Sequence, residues 1–269
     1  MSLSLHHRLC TSQPATRPAL NRSSPLAVGL KLLLLPPYLG SFVNELGGMA
    51  LAGATIPYKG QPGNCFVHPT AQAANFLQLV TAAQVNLLFP NPSEAPIFVI
   101  RRCIDSTVRS SAIFGYNDAT TSRILAHAPF SDGNLYWDFG NTTTGRLTIN
   151  SFVKSTDPES LVFVAGSVAG RKVWRNGVLI GSSGATAAWG GSATGSFRLG
   201  APGSTTTSEV EEVYLFGIAN RAWSDAEVRE WHRNPWQLFR SPARRVSTYG
   251  APAVPSAGAA RRPNVFVAT

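Results

Sequence analysis

With 269 residues, 44 % of them hydrophobic, 14 % charged, and with 24 glycines and 19 prolines, the chain suits one large all-β domain of many short strands and turns. Its formal charge of +9 sits at the two ends: four basic residues and no acid precede Glu45, five and no acid follow Phe239, and the stretch between carries 14 basic against 14 acidic residues, a neutral domain rather than a nucleic-acid footprint. Cys10, Cys65 and Cys103 have no paired spacing, so neither a disulfide framework nor a zinc knuckle is suggested.

Residues 1–23 lack hydrophobic periodicity and read as an extended arm carrying Arg8, Arg17 and Arg22. The apolar run 26–35 is interrupted by Gly29 and Lys31 and ends at Pro36-Pro37. It starts too late for a secretory signal and falls short of the ~20 residues that span a bilayer, so it reads as a core strand. With the Gly47-Gly48 turn it suggests a strand pair opening a sandwich. Residues 55–70, with Pro57, Gly60, Pro62, Gly63 and Pro69, read as a loop. Residues 71–89 are ambiguous between helix and strands, their alanines and glutamines favouring helix.

Strands are expected at 96–101, 111–115 and 123–128, the last two separated by a loop over 116–121. The clearest alternation follows, with Leu135, Trp137 and Phe139 on one face and Tyr136 and Asp138 on the other, implying a sheet with one wet face. Further strands fall at 161–165 and 173–180, the second broken by Asn176-Gly177, the dipeptide of a type I′ hairpin turn. A Gly/Ser/Ala loop over 181–195 precedes a strand at 196–199. No fixed repeat is present, which disfavours solenoids and propellers.

Residues 211–228 carry the most information. Val213 and Leu215 on one face, with Tyr214 and Phe216 on the other, form a short apolar strand bounded by Glu211-Glu212 and by Gly217 and Asn220. Ser224 followed by Glu227 is a capping box, and Trp223 and Val228 occupy the positions of a hydrophobic staple. A helix therefore starts at Asp225, and Pro235 ends it by Asn234. From Arg240 the chain becomes basic and rich in proline and alanine, a second arm carrying Arg240, Arg244, Arg245, Arg261 and Arg262. Its final Val265-Phe266-Val267 suits strand addition to a neighbour or return to its own domain.

The 211–228 segment, its continuation Asn234-Pro235-Trp236-Gln237-Leu238-Phe239, and the stretches 132–140 and 172–180 resemble laminin G-like domains of the concanavalin A-like lectin/glucanase superfamily, in particular those of tailed-bacteriophage and prophage structural proteins. The resemblance covers residues 24–239, with its specific motifs from about 97 onward. It implies an antiparallel β-sandwich of jelly-roll type with one short C-terminal helix and extended terminal arms, and it draws 71–89 toward strands. The expected organisation is an arm (1–23), the sandwich (24–239) and a basic C-terminal arm (240–269).

Since the superfamily includes glucanases, paired carboxylates must be weighed. A retaining glycosidase needs two about 5 Å apart. Strand alternation puts Glu209 and Glu211 on one face, but Tyr214 and Leu215 stand where a laminarinase-type pattern requires a third acid, so a non-enzymatic protein is expected. No nucleophile elbow, Walker lysine loop or dinucleotide fingerprint is present, and the five histidines lack metal-ligand spacing. The calcium candidates are Asp118, Asp132 and Asp138, but Asp132 sits in an Asp-Gly turn that favours Asp for backbone reasons. No metal or cofactor is expected. Sugar binding needs exposed aromatics beside amide and carboxylate groups, for which Tyr116, Asn117, Asp118 and Trp189 are the candidates.

The resulting expectation is a virion structural protein assembled in the bacterial cytoplasm: a capsid decoration protein lashed by its arms to other virion proteins, homo-oligomeric, with a trimer as one form by analogy. The alternative is a tail- or fibre-associated module that binds host-surface glycan. A membrane partner is not expected. Nucleic acid is disfavoured because the arms hold few aromatics to stack on bases.

Overall fold

The alternation at 135–140 is realised as a strand whose Leu135, Trp137 and Phe139 are fully buried. The computed structural model describes residues 19–35, 43–44, 52–53, 58–59, 65–68, 76–119, 122–190, 195–200 and 207–240. Within them two antiparallel sheets face each other. Sheet A runs in space as Arg146–Ile149, Leu135–Gly140, Ser122–His127, Phe114–Ala119, Phe197–Gly200, Phe76–Val80 and Ala52–Gly53. Sheet B runs as Val178–Ser183, Gly170–Arg175, Glu159–Gly166, Ala95–Cys103, Glu211–Ala219, Leu30–Leu34 and Val43–Asn44. Cys65–His68 also pairs with Glu211–Ala219, and Tyr58–Lys59 with Cys65–His68. The architecture is the expected all-β sandwich, and no helix among the described residues is long and apolar enough to cross a membrane.

The inter-sheet core joins Ile97, Val99, Leu161, Phe163 and Phe216 of sheet B to Phe114, Ile124, Trp137, Phe139 and Leu199 of sheet A. At one side the two sheets close on each other: Ile149 and Ile180 both pack on this core, and Gly181 lies so near Ile149 that a Cβ there would come within 2.6 Å of it.

Sheet B has a second dry face. Phe98, Ile100, Val162, Val164, Trp174 and Leu215 form a separate cluster with Trp223, Val228, Trp231, Trp236, Leu238 and Phe239 from the C-terminal segment and Leu20 and Leu26 from the N-terminal one. Burial on both faces explains why 96–100 and 161–165 are unbroken apolar runs rather than alternating ones.

The helix Asp225–Arg233 forms as its capping box dictates. Glu227 N donates to Ser224 Oγ at 3.3 Å, and Ser224 N donates to the Glu227 carboxylate at 2.9 Å. Trp223 and Val228 both lie in the outer cluster, and Asn234 caps the C-terminus before the 3-10 turn Pro235–Leu238. The Trp223 ring stacks on Phe98 at 4.7 Å between centroids, and Trp231 packs on the same ring at 5.2 Å. Phe98 is seated on its cross-strand partner Gly217, where a Cβ would meet the ring at 2.2 Å. The chain ends of this unit are joined as well: Ala19–Leu20 pairs with Phe239–Arg240, and Asn21 N donates to Leu238 O at 2.8 Å.

Several local expectations are corrected. Strict alternation over 213–216 fails, because a bulge between Val213 and Leu215 inserts an extra residue: Val213 and Phe216 face the inter-sheet core, Tyr214 and Leu215 the outer cluster. Part of the 55–70 loop is the hairpin of Tyr58–Lys59 with Cys65–His68. Residues 71–89 divide. Phe76–Val80 is a strand, then a polar pairing of Thr81 N with Gln84 Oε1 at 3.2 Å starts the turn Ala82–Gln84 and the helix Val85–Leu88. The strand Phe114–Ala119 runs through most of the expected 116–121 loop, and Val178–Ser183 extends into 181–195. Asn176 and Gly177, with φ of 52° and 77°, make the expected I′ turn.

The packing at Gly217 has a measurable consequence. Gly217→Ala must displace a Phe98 ring that Trp223 and Trp231 hold in place, so urea unfolding should show a loss of about 1–3 kcal/mol, typical of overpacking; an unchanged midpoint would mean that Phe98 is not fixed.

Candidate functional site

The sequence candidates for sugar stacking do not present a surface. Tyr116 is 0 % and Trp189 2 % exposed, and the two rings meet edge to face at 6.3 Å inside the inter-sheet core. Both are corrected from site residues to core residues, since an enclosed ring has no free face for a pyranose. Asn117 and Asp118 lie on the strand Phe114–Ala119, Asn117 paired with Arg123 through the backbone; their side chains are outside the described residues. Of the arm residues, Arg22 is exposed in the turn after Leu20 and the backbone of Arg240 pairs with Ala19, while Arg8, Arg17, Arg244, Arg245, Arg261 and Arg262 lie outside the described residues.

The glutamates considered for catalysis are sealed at one end of sheet B. Arg101, fully buried, donates to Glu159 Oε1 at 3.0 Å, to Glu211 Oε2 at 3.0 Å and to Ala128 O at 2.7 Å, and Arg175 pairs with the other Glu159 oxygen at 2.6 Å. Glu209 accepts from Lys154 at 2.7 Å and Ser111 at 2.9 Å, and Lys154 also reaches Thr107 O and Asp105. Glu212 pairs instead with Arg102 at 2.9 Å and accepts from Tyr214 at 2.6 Å. Burial pushes the Glu211 carboxyl up to about 7 despite Arg101. Glu159, Glu209 and Glu211 are at most 1 % exposed, so their chemistry is to hold strand ends and loops together.

Among the described residues, the outer face of sheet A carries a set of half-buried polar side chains. Cross-strand register places Gln78, Arg198, Gly115, Leu125, Asp138 and Arg146 in one row. At ~4.8 Å per strand the row spans roughly 24 Å. Thr148, Tyr136 and His127 form the adjacent row. At the centre Leu125 is fully buried, which divides the accessible surface into two parts.

One part is built on Asp138. Its buried carboxylate accepts from Arg146 Nε at 2.6 Å and NH2 at 2.8 Å, with Arg123 Nε at 3.1 Å. The Arg146 guanidinium lies 4.6 Å above the Tyr136 ring, and the Tyr136 hydroxyl donates to Asp132. His127 closes this part from below. Its Nδ1 is 2.6 Å from Ser111 O and its Nε2 3.3 Å from Arg123 NH2. A carbonyl only accepts and a guanidinium only donates, so the ring is the neutral Nδ1–H tautomer, in keeping with burial pushing its pKa down to about 4. Asp132 and Asp138 are thus engaged by a hydroxyl and by guanidiniums, not arranged around a common ion.

The other part is built on Arg198. Its guanidinium lies 3.9 Å above the Phe76 ring and its Nε donates to Ser196 Oγ at 2.8 Å, with Gln78 directly across the strand. Burial lowers its pKa, though a guanidinium stays charged at neutral pH. Together the two parts offer fixed cationic donors, an amide and aromatic rings, a set suited to the acceptors of a polyhydroxylated ligand. The signal for this face was in the sequence: Tyr136 and Asp138 alternate with the buried Leu135, Trp137 and Phe139, and Arg198 lies between the buried Phe197 and Leu199.

No protein-family model matches the chain, and no curated protein matches it. Among solved structures it is similar to domain 4 of AbnA, a GH43 extracellular arabinanase from Geobacillus stearothermophilus in complex with arabinotriose, at 19 % identity and a TM-score of 0.54 over 75 % of this chain and 97 % of that one. It is also similar to the Trypanosoma rangeli sialidase in complex with sialic acid (14 %, 0.55, 86 % of this chain but 37 % of that one) and to the binding domain of Paraclostridial Mosquitocidal Protein 1 (13 %, 0.54, 78 % and 53 %). The chain thus spans about a third of the sialidase and half of the toxin domain. At these identities the likeness is one of fold: a jelly-roll-like β-sandwich of the kind carried by carbohydrate-binding and glycosidase-type proteins. It also corrects the non-enzymatic expectation. Domain 4 of an arabinanase and about a third of a sialidase chain share the fold, so an assignment drawn from an incomplete carboxylate pattern does not stand.

The neutral, buried His127 makes stability depend on pH in a definite direction. Its folded pKa of about 4 lies below the ordinary 6.5, so the unfolded chain takes up the proton first; the contribution is complete above 6.5 and is lost as pH falls through 4. Between pH 6.5 and 4 the wild type should therefore lose more unfolding free energy than His127→Gln, in which Glu211 titrates unchanged; parallel curves would show that His127 is not held neutral.

Proposed function

We propose that the chain is a glycan-binding β-sandwich module that recognises sugar through the outer face of sheet A. The observation that carries this is the juxtaposition, on one accessible sheet face, of the Tyr136–Arg146–Asp138 group with the Phe76–Arg198–Gln78 group. Sugar sites combine a few fixed polar groups with aromatic surface in this way. The fold neighbours support the reading, since one was solved with arabinotriose and another with sialic acid.

The capsid-decoration reading, with its virion partners, oligomer and arm contacts, rests on the resemblance to phage structural proteins and on the arms 1–23 and 240–269, of which 1–18 and 241–269 lie outside the described residues. The fold neighbours favour the alternative instead, a module that binds host-surface glycan.

A glycan screen of the purified chain followed by calorimetry tests the proposal. Tyr136→Ala and Gln78→Ala should each weaken the best ligand about tenfold, roughly 1.4 kcal/mol, whereas Val168→Ala, on a 94 % exposed turn of sheet B, should not. Equal affinity for all three variants would remove the site from this face, and no glycan bound would overturn the function.

A further inference from the structure

The described residues of this sheet face and its rim hold three guanidiniums, Arg123, Arg146 and Arg198, against two carboxylates: Asp138, buried and engaged by the first two, and Asp132, which accepts from the Tyr136 hydroxyl at the far end from Arg198. Arg198 stands three strands from Asp138 in the register row, roughly 14 Å away at ~4.8 Å per strand. That is beyond ion-pairing distance. Its Nε is held by Ser196 and its plane is fixed 3.9 Å above Phe76, so among the described residues its two terminal nitrogens are left without a hydrogen-bond acceptor. A half-buried guanidinium held at Nε and over a ring, whose terminal donors meet no acceptor among the described residues, is arranged to take a planar, two-oxygen anion side by side. The neighbouring Gln78 adds an amide donor and His127, being neutral, adds no charge, while Arg123 and Arg146 keep the face cationic.

Resting on the glycan reading above, we infer that the preferred ligand is an acidic glycan, one whose sugar carries a carboxylate that pairs with Arg198 beside Gln78. The carboxylate supplies the counter-charge that the described residues leave out. Phe76 orients the guanidinium from behind. Geometry, not charge alone, then sets the preference, so lysine at this position keeps the charge but not the fork.

Matched pairs test this on the full chain by calorimetry: oligogalacturonate against its methyl ester, sialyllactose against lactose, and a sulfated against an unsulfated oligosaccharide. At least one carboxylated member should bind tenfold or more tighter than its neutral partner. That preference should vanish in Arg198→Ala and fall severalfold in Arg198→Lys, while Val168→Ala, away from this face, should keep both the preference and the affinity. Binding of neutral and acidic members alike, or a preference that survives Arg198→Ala, would overturn the inference while leaving the glycan reading in place. Sulfated sugars bound ahead of carboxylated ones would overturn the planar-fork argument. Failure of every member to bind would overturn both.

Discussion

The structure depends on the burial of Ala95–Cys103 and Glu211–Ala219 on both faces. These two strands are neighbours at the centre of sheet B, with sheet A against one side and the C-terminal helix and N-terminal segment against the other. A sheet inside a simple sandwich needs only one dry face. This one needs a lid, and the lid is supplied by Trp223, Val228, Trp231 and Trp236, anchored by the stack of Trp223 on Phe98 and by the seat that Gly217 leaves for that ring. The two ends of the domain meet at this layer because the lid is built from both of them, which is why Ala19–Leu20 pairs with Phe239–Arg240.

Dry faces dictate where charge can go. The same two strands carry Arg101, Glu211 and Glu212 at one end, and none of the three is solvated freely. Arg101 answers with three acceptors from three parts of the chain: Glu159 on the adjacent strand, Glu211 on the other neighbour, and the carbonyl of Ala128 at the end of sheet A. A buried ion pair of this kind contributes little net free energy compared with apolar packing, yet removal of one partner leaves an unpaired buried charge at a cost of about 3–5 kcal/mol. The carboxylates that superficially suggest catalysis are therefore the ones least accessible to a substrate.

Sheet A is under the opposite constraint. Only its inner face is required for the core, so its outer face is free to carry Arg198, Gln78, Tyr136 and Arg146. Polar groups there are positioned by rigid strands rather than loops, with Asp138 orienting two guanidiniums and Phe76 a third. Such a face is preorganised, and preorganisation lowers the cost of ordering the side chains on binding.

Much of this was legible in the sequence because it is local. The capping box at Ser224 and Glu227, the stop at Pro235, the Asn176-Gly177 turn and the one-faced alternation of 135–140 each depend on residues a few positions apart, and each forms as the local chemistry requires. The parity of 213–216 did not follow, because a bulge is a property of the partner strand's register and not of the residues themselves. Tyr116 and Trp189 were misread for a similar reason: an aromatic beside Asn and Asp, or within glycines, looks exposed until sheets distant in sequence close over it. Local patterning was enough for the β class, the helix and its caps, and for which residues of 135–139 enter the inter-sheet core; it did not show that Asp138, on the opposite face, is buried too. Which aromatics are sealed, which carboxylates are paired with cations 55 to 110 residues away, and that Arg198 has no such partner among the described residues emerged only in the folded chain, because burial and ion pairing are set by contacts between strands that local patterning does not encode.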